Sequence, residues 1–241
     1  MWMCLVLTLS AAAMDHSGLQ AVLSAHVDSS GNVDYAAVKS SGALEVYLEG
    51  LQGAAEPSGQ AEKMAFWINA YNALTIDLIA DNYPINSIRD LDGGDPWNAR
   101  RFSVAGRQVT LNDIEHNIIR PMGDARIHAA VNCASRGCPP LSRTAFTGAG
   151  LDGQLDAVSR AWISGNGISI QDGAVSLNQI FDWYGDDFIP DSDVDIPGVD
   201  GKAEAALSFA ARYLPAEQAA FIKAGGYTVG YGRYDWALNQ Q

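Results

Sequence analysis

The spacing of apolar residues changes several times along the chain and predicts a mixture of helices and short hairpins. The longest pattern covers residues 61–83, where apolar side chains occur on nearly every side of a helix and Pro84 ends it. A helix that is apolar all round is buried, so we predict this segment as the central helix of the core. Other helical patterns occupy residues 15–55, 111–120, 150–164, 177–189 and 202–223.

Strand patterns are short and separated by turn residues. Residues 102–110 and 167–177 each place two short apolar runs around a turn, at Ala105-Gly106 and Asp172-Gly173. The tail, residues 227–238, can supply a closing strand. Because strands and helices do not alternate in a regular βαβ rhythm, we predict a single α+β domain in which the central helix packs on a small antiparallel sheet.

Residues 126–133 (RIHAAVNC) alternate in the way that predicts a further strand. On a straight strand, Ile127 and His128 would point to opposite faces, and Cys133 would lie on the face opposite His128. The five-residue separation corresponds to about 16 Å at 3.3 Å per residue. His128 and Cys133 can therefore meet only if the chain folds back after Asn132, where turn residues do follow.

The chain has 241 residues, of which 48% are hydrophobic and 18% charged, which is typical of a globular protein with one core. Its net charge of −13 argues against nucleic acid and against an anionic membrane surface as partners. Residues 1–13 (MWMCLVLTLSAAA) are apolar and end in three alanines, which predicts a signal peptide. The alternatives are a buried N-terminal helix or a wrongly assigned start.

With a signal peptide at 1–13, residues 14–241 form the mature single domain. We then expect a periplasmic or secreted protein that does not insert into the membrane once the signal is removed. No sequence pattern for a cofactor is present, and we predict none.

Two asparagines, Asn69 and Asn72, share one face of the predicted central helix. Their neighbours include Trp67 and Tyr71, so both amides are expected to be buried. A buried amide without a partner costs about 1–3 kcal/mol, which means that each must bond something specific. They either tie neighbouring loops to the helix or take part in a catalytic site, and Trp67 and Tyr71 are candidates for contacting a substrate.

The segment RIHAAVNCASRGCPPL, residues 126–141, carries the residues most suited to catalysis. His128 is either a general base or a hydrogen-bonded core residue. Cys133 and Cys138 are spaced as Cys-x₄-Cys, which differs from thioredoxin-like and zinc motifs. In an oxidising compartment a disulfide is favoured, whereas a reduced cysteine would be a nucleophile.

Charged residues suggest three further sites. Seven of the 15 basic residues are arginines between positions 100 and 143, and Arg126 and Arg136 are candidates for holding an anionic small molecule or peptide. The alternative is ordinary pairing with the aspartates. Glu115 is a candidate for orienting or polarising a substrate, although it cannot face its neighbour on a regular helix. Two Asp-rich loops, residues 90–95 and 191–195, are candidates for binding calcium, although neither matches the EF-hand spacing. The alternative is that they are solvated loops and helix caps.

Five segments together resemble the domain of unknown function 547 family: AFWINAYNALTI, LNDIE, IHAAVNCASRGCPPL, LNQIFDWYGDDF and YDWALN. They span about residues 30–238. The family is poorly characterised, so the resemblance implies little about mechanism. A remoter similarity, to papain-like and transglutaminase-like enzymes, rests on a buried helix followed by a His-bearing strand. The helix that contains Trp67 has no cysteine, and Asn69 or Asn72 would occupy the place of the missing nucleophile.

Two functional hypotheses follow from these residues. The first is a hydrolase or acyl-transfer enzyme whose site gathers His128, Asn69, Asn72 and Glu115, with Cys133 or Cys138 as nucleophile. The second is a non-enzymatic binding module with a structural disulfide and an arginine-lined ligand site. The convergence of these groups in one cleft would favour the first.

Overall fold

The computed structural model describes residues 14–241 of the chain. The predicted signal peptide at 1–13 lies outside the described residues. Ten α-helices occur in the described part: α1 (Ser17–His26), α2 (Tyr35–Ser41), α3 (Ala43–Gly53), α4 (Gln60–Asn82), α5 (Pro96–Ala99), α6 (Ile127–Ala130), α7 (Leu151–Trp162), α8 (Ile180–Trp183), α9 (Gly201–Ala211) and α10 (Ala216–Ala224).

Wider and tighter helical turns lie between these helices or at their ends. π-Helical turns cover Asp113–Ile119 and Ile163–Gly167. Short 3₁₀ turns cover Ile88–Asp90, Asp92–Gly94, Arg120–Met122, Gly185–Asp187 and Ile189–Asp191. None of the helices within residues 14–241 combines the length and the apolar character that crossing a bilayer requires.

Five short strands form two sheets within residues 14–241. β1 (Phe102–Val104) and β2 (Arg107–Val109) make an antiparallel hairpin, and β3 (Ile168–Gln171) and β4 (Ala174–Leu177) make a second. The turn residues adopt positive φ, 51° and 69° at Ala105-Gly106 and 49° and 74° at Asp172-Gly173, as two-residue hairpin turns require. Both predicted hairpins are confirmed. β5 (Thr228–Tyr231), the predicted closing strand, pairs in parallel with β4 and makes that sheet mixed.

Helix α4 is the buried centre of the larger core, as predicted. Every residue from Met64 to Ile76 is buried, and the helix packs against α2, α3 and the turn Asp113–Ile119. The hairpin β1–β2 adds Val104 and Val109 to the same core. The mixture of helices with small sheets confirms the α+β class.

A second core lies on the C-terminal side and is rich in stacked aromatic rings. Trp162 stacks on Phe181 at a ring separation of 4.6 Å, and Phe188 meets Phe209 at 5.0 Å. Helix α6 joins the two cores, because Ile127 packs into the first and Ala129 into the second. The functional residues discussed below lie around this junction.

The predicted strand at residues 126–133 is wrong. Residues Ile127–Ala130 form the short helix α6, and all four of its side chains are buried. Asn72 of α4 accepts a hydrogen bond from the backbone N–H of Asn132 and donates one to the carbonyl oxygen of Ala130, which fixes the end of α6. Short apolar runs cannot be assigned to helix or strand by periodicity alone, and here a contact from another helix decides.

Candidate functional site

A cavity of about 340 Å³ opens beside α6, between the π-helical turn Asp113–Ile119 and the C-terminal tail. Six of its sixteen lining residues are tyrosines or tryptophans: Tyr71, Trp97, Trp183, Tyr184, Tyr234 and Trp236. The other lining residues are Asp95, Asn98, Asn112, Glu115, His116, His128, Val131, Cys133, Cys138 and Ile180. A pocket that combines aromatic side chains with polar groups is typical of a small-molecule site.

His128 lies in α6 with only 2% of its surface exposed. Its ring atom Nε2 is 2.7 Å from Oδ2 of Asp187, and the ring stacks on Tyr184 at 4.4 Å. Nδ1 makes no hydrogen bond within residues 14–241. The fully buried side-chain polar atoms without a partner in that range are Ser159 Oγ and Trp162 Nε1. Nδ1 of His128 is therefore not sealed, and His128 lines the cavity.

Asp187 is shared between His128 and Arg120. Arg120 donates to both carboxylate oxygens, from Nε to Oδ2 at 2.6 Å and from Nη2 to Oδ1 at 2.9 Å. Burial acts to raise the pKa of Asp187, but hydrogen bonds from His128 and Arg120 outweigh it and hold that pKa well below its usual range. The carboxylate is therefore ionised at neutral pH and accepts the Nε2 proton of His128.

Glu115 projects from the π-helical turn Asp113–Ile119 and is 7% exposed. This wide turn brings Glu115 and the adjacent His116 to one cavity, whereas a regular helix would separate them. Burial, and then the negative charge of Glu115, raise the pKa of Tyr71 and of Tyr184 well above the usual value. Both phenols stay protonated beside the carboxylate.

Cys133 and Cys138 lie at disulfide-bonding distance in the cavity wall, with Cα atoms 6.3 Å apart. The hydroxyl of Tyr234 contacts Sγ of Cys133 at 3.0 Å and donates to Sγ of Cys138 at 3.2 Å. Ser135 Oγ is 2.8 Å from the same hydroxyl. The turn after Asn132 that the sequence suggested thus returns both sulfurs to the cavity that His128 lines.

The predicted asparagines lie outside the cavity. Asn69 is 1% exposed and pairs with the backbone of Phe146, donating to its carbonyl oxygen and accepting from its N–H, both at 2.8 Å. Asn72 holds the end of α6, as described above. Trp67 is fully buried and donates to Glu56 at 2.7 Å. Of the four candidates on α4, only Tyr71 lines the cavity.

The predicted arginines also lie elsewhere. Arg126 forms ion pairs within 2.9 Å of three carboxylates, those of Asp124, Asp152 and Asp156. Arg136 lines a separate pocket beside β4. Asp92 of the first acidic loop pairs with Arg100, and Asp193 of the second pairs with Arg212. No group of three or more potential metal ligands is found within residues 14–241.

Several residues that line the cavity or contact His128 are not among the candidates drawn from the sequence. Asp187 and Tyr184 belong to the segment LNQIFDWYGDDF, and Tyr234 and Trp236 to YDWALN. Both segments contributed to the family resemblance, which was the available signal. Asp187 is 59 positions from His128, and no local spacing rule pairs residues so far apart.

Comparison with known proteins supports the family resemblance and adds no activity. Residues 56–163 match the family described as "Protein of unknown function, DUF547". The matched segment contains α4, Glu115, His128 and the two cysteines. No curated protein and no solved structure matches the chain. The papain-like similarity therefore has no support, and α6 replaces the His-bearing strand on which it rested.

Proposed function

We propose that this chain, whose residues 56–163 belong to the DUF547 family, is a hydrolase in which His128 is the general base of the aromatic cavity. One observation carries the proposal: Asp187 holds Nε2 of His128 at 2.7 Å, while Nδ1 has no hydrogen-bond partner within the described residues and the side chain lines the cavity. An imidazole that is fixed at one nitrogen by a carboxylate and open at the other is suited to proton abstraction.

In the proposed reaction, Nδ1 of His128 takes a proton from a water molecule as its oxygen bonds to the carbonyl carbon of an ester or amide. Asp187 stabilises the imidazolium that forms, and Arg120 keeps Asp187 ionised. The imidazolium then returns the proton to the leaving group as the carbon–heteroatom bond breaks. Asn112 lines the cavity and its amide makes no hydrogen bond within the described residues, so it can donate to the oxygen on which charge develops.

Water is preferred to a thiol as nucleophile because the two cysteines are at bonding distance from each other. A sulfur in a disulfide has no thiolate with which to attack a carbonyl. Asn69 and Asn72 are not assigned a catalytic role, because their amides hydrogen-bond to the backbone. They instead tie the neighbouring segments to α4. Cys133 or Cys138 as nucleophile stays a prediction for the reduced protein.

The test is hydrolysis of p-nitrophenyl acetate and of a set of p-nitroanilides by the purified protein, hereafter the hydrolysis assay. We expect His128→Ala to lower the rate by about 10²–10⁴-fold, the usual contribution of a general base. His26→Ala is the matched control, because His26 ends α1 outside the cavity. Equal rates for the wild type and His128→Ala would contradict the proposal.

A binding module is the second candidate, and the aromatic wall of the cavity favours it. Such a module needs the cavity and the paired cysteines but no proton transfer. Ligand binding by both the wild type and His128→Ala, without hydrolysis by either, would establish this alternative. The arginine-lined version has less support, because Arg126 and Arg136 do not line the cavity.

We also propose that the protein works outside the cytoplasm, in the periplasm or after secretion. The apolar run at 1–13 and the disulfide-distance pair both favour an exported protein. N-terminal sequencing of protein from the native host should find residues 1–13 removed. An intact Met1 on cytoplasmic protein would contradict this proposal.

A further inference from the structure

The cavity is lined by acidic side chains and not by lysine or arginine in the described residues. These acidic side chains are Glu115 and Asp95. We propose that the cavity recognises an organic cation, an ammonium group carried by a small ester or amide. The inference names a substrate class for the proposed hydrolase and rests on that function only for the reaction that follows binding.

Glu115 is the main reason for this assignment. It is 7% exposed, and no ion pair to a lysine or arginine is formed by it within residues 14–241. Arg120 belongs to the same neighbourhood, but its guanidinium group is bound to Asp187 through both carboxylate oxygens. The side chains of Tyr71 and Tyr184 hydrogen-bond to Glu115, but both phenols are neutral. Burying a carboxylate is costly unless it is paired with a cation as well as hydrogen-bonded. A ligand ammonium group in the cavity would supply the missing charge.

The aromatic wall suits the same ligand. The faces of Trp and Tyr rings attract cations, most strongly where water is excluded. Two rings of the wall already form cation–π contacts with arginines, since Arg120 lies over Tyr184 and Arg89 lies over Trp236. The rings of Trp97, Trp183 and Tyr234 make no such contact within the described residues.

Trp183 marks the opening of the cavity. It is 45% exposed although it lines the cavity, and its ring lies 4.8 Å from that of Tyr234. The volume of about 340 Å³ is at the small end of ligand pockets and admits a trimethylammonium group with a short chain. The net charge of −13 adds a long-range attraction for cations.

His116 and His128 are the titratable groups that oppose a cation when they are protonated, since both line the cavity. The experiment is therefore run at pH 8. Choline is titrated into the intact protein and followed by calorimetry and by tryptophan fluorescence. Its uncharged isostere 3,3-dimethyl-1-butanol, which has the same shape, and acetate, which has the opposite charge, are titrated in parallel.

We expect choline to bind about tenfold more tightly than the isostere and acetate to give no saturable binding, given cation–π contacts and a buried counter-charge. Glu115→Gln keeps the shape and removes the charge, so it should bring choline and the isostere within about twofold of each other. Glu49→Gln, on the exposed face of α3, is the control and should bind like the wild type.

A second variant is included because a substitution of the buried Glu115 can disturb folding. Trp183→Leu alters an exposed residue and should weaken choline binding about threefold to tenfold. Equal affinity of the wild type for choline and the isostere, or no binding of choline, would overturn the inference. Choline binding without any hydrolysis would instead contradict the proposed reaction and leave the inference standing.

Discussion

Arg120 and Arg126 lie six positions apart in the chain, yet their surroundings differ in one decisive respect. The guanidinium group of Arg126 forms ion pairs with three carboxylates, those of Asp124, Asp152 and Asp156. Arg120 shares its single carboxylate, Asp187, with His128, whose other ring nitrogen makes no hydrogen bond within the described residues. The guanidinium group of the first cluster is fully engaged by carboxylates, whereas the second cluster contains a histidine with one ring nitrogen left unpaired in the described residues.

The asparagines extend this comparison. Asn69 and Asn72 use their amide groups on backbone atoms, so their contribution is to the fold. Asn112 has a similar amide, but its side chain lines the cavity without a hydrogen bond in the described residues. A polar side chain whose hydrogen bonds are all made within the fold is therefore a structural candidate, and one that is left unpaired in a cavity is a functional candidate. This distinction is more informative than the residue type.

The largest expected effect is on the hydrolysis rate. Asp187→Asn keeps the size of the side chain but no longer stabilises an imidazolium, and we expect a loss of about 10²-fold or more in kcat. Asp124→Asn leaves Arg126 with two carboxylates and should change the rate less than twofold. The hydrolysis assay measures both variants, and similar losses would remove the distinction between the two clusters.

The second effect concerns stability. Asn69→Ala leaves the backbone N–H and C=O of Phe146 unpaired and should lower the free energy of unfolding by about 1–3 kcal/mol. Asn112→Ala removes no hydrogen bond of the described residues and should cost about 0.5 kcal/mol or less. Urea denaturation gives both values. An unchanged midpoint for Asn69→Ala would show that its buried contacts contribute nothing.

The third effect is a dependence on acid. Because the pKa of Asp187 is lowered in the folded protein, its stabilising contribution is complete above the ordinary carboxyl pKa of about 4 and is lost as the pH falls further. The urea midpoint of the wild type should therefore decline more steeply between pH 5 and pH 3 than that of Asp187→Asn. Parallel curves for the two proteins would mean that Asp187 gains nothing from His128 and Arg120.

The smallest expected effect follows reduction of the cysteines. If water is the nucleophile, a reducing agent should change the hydrolysis rate less than twofold while removing the stabilisation of a short disulfide loop, about 2 kcal/mol. Mass spectrometry after alkylation, with and without reductant, reports the state of the thiols. A large rise in rate on reduction, abolished in Cys133→Ala or Cys138→Ala, would make a cysteine the nucleophile.

Much of the fold could be predicted from the sequence because local patterns determine it. Ala105-Gly106 and Asp172-Gly173 occupy turns that need positive φ, and both hairpins follow from that need. The unbroken apolar surface of residues 61–83 likewise requires burial on all sides. α6 was mistaken for a strand because its end is fixed by Asn72, a residue 58 positions away from Ala130.

The site could be predicted only in part, for a related reason. His128, Glu115 and the two cysteines were recognised by their chemistry, and the structure brings them to one cavity. Asp187 has no distinguishing local pattern, and its role comes from a contact across the two cores. The arginine-rich sequence predicts a ligand site at Arg126, because a sequence does not reveal which carboxylates surround each guanidinium group.

The central claim is that His128 is held at Nε2 and open at Nδ1, and ¹⁵N-histidine NMR tests it without any substrate. His128→Ala assigns the resonances, and the spectrum is recorded where the ring is neutral. We expect the proton of neutral His128 to reside on Nε2 and Nδ1 to be unprotonated. Asp187→Asn should disturb this tautomer, whereas Asp124→Asn should not. A proton on Nδ1 of neutral His128 in the wild-type protein would contradict it.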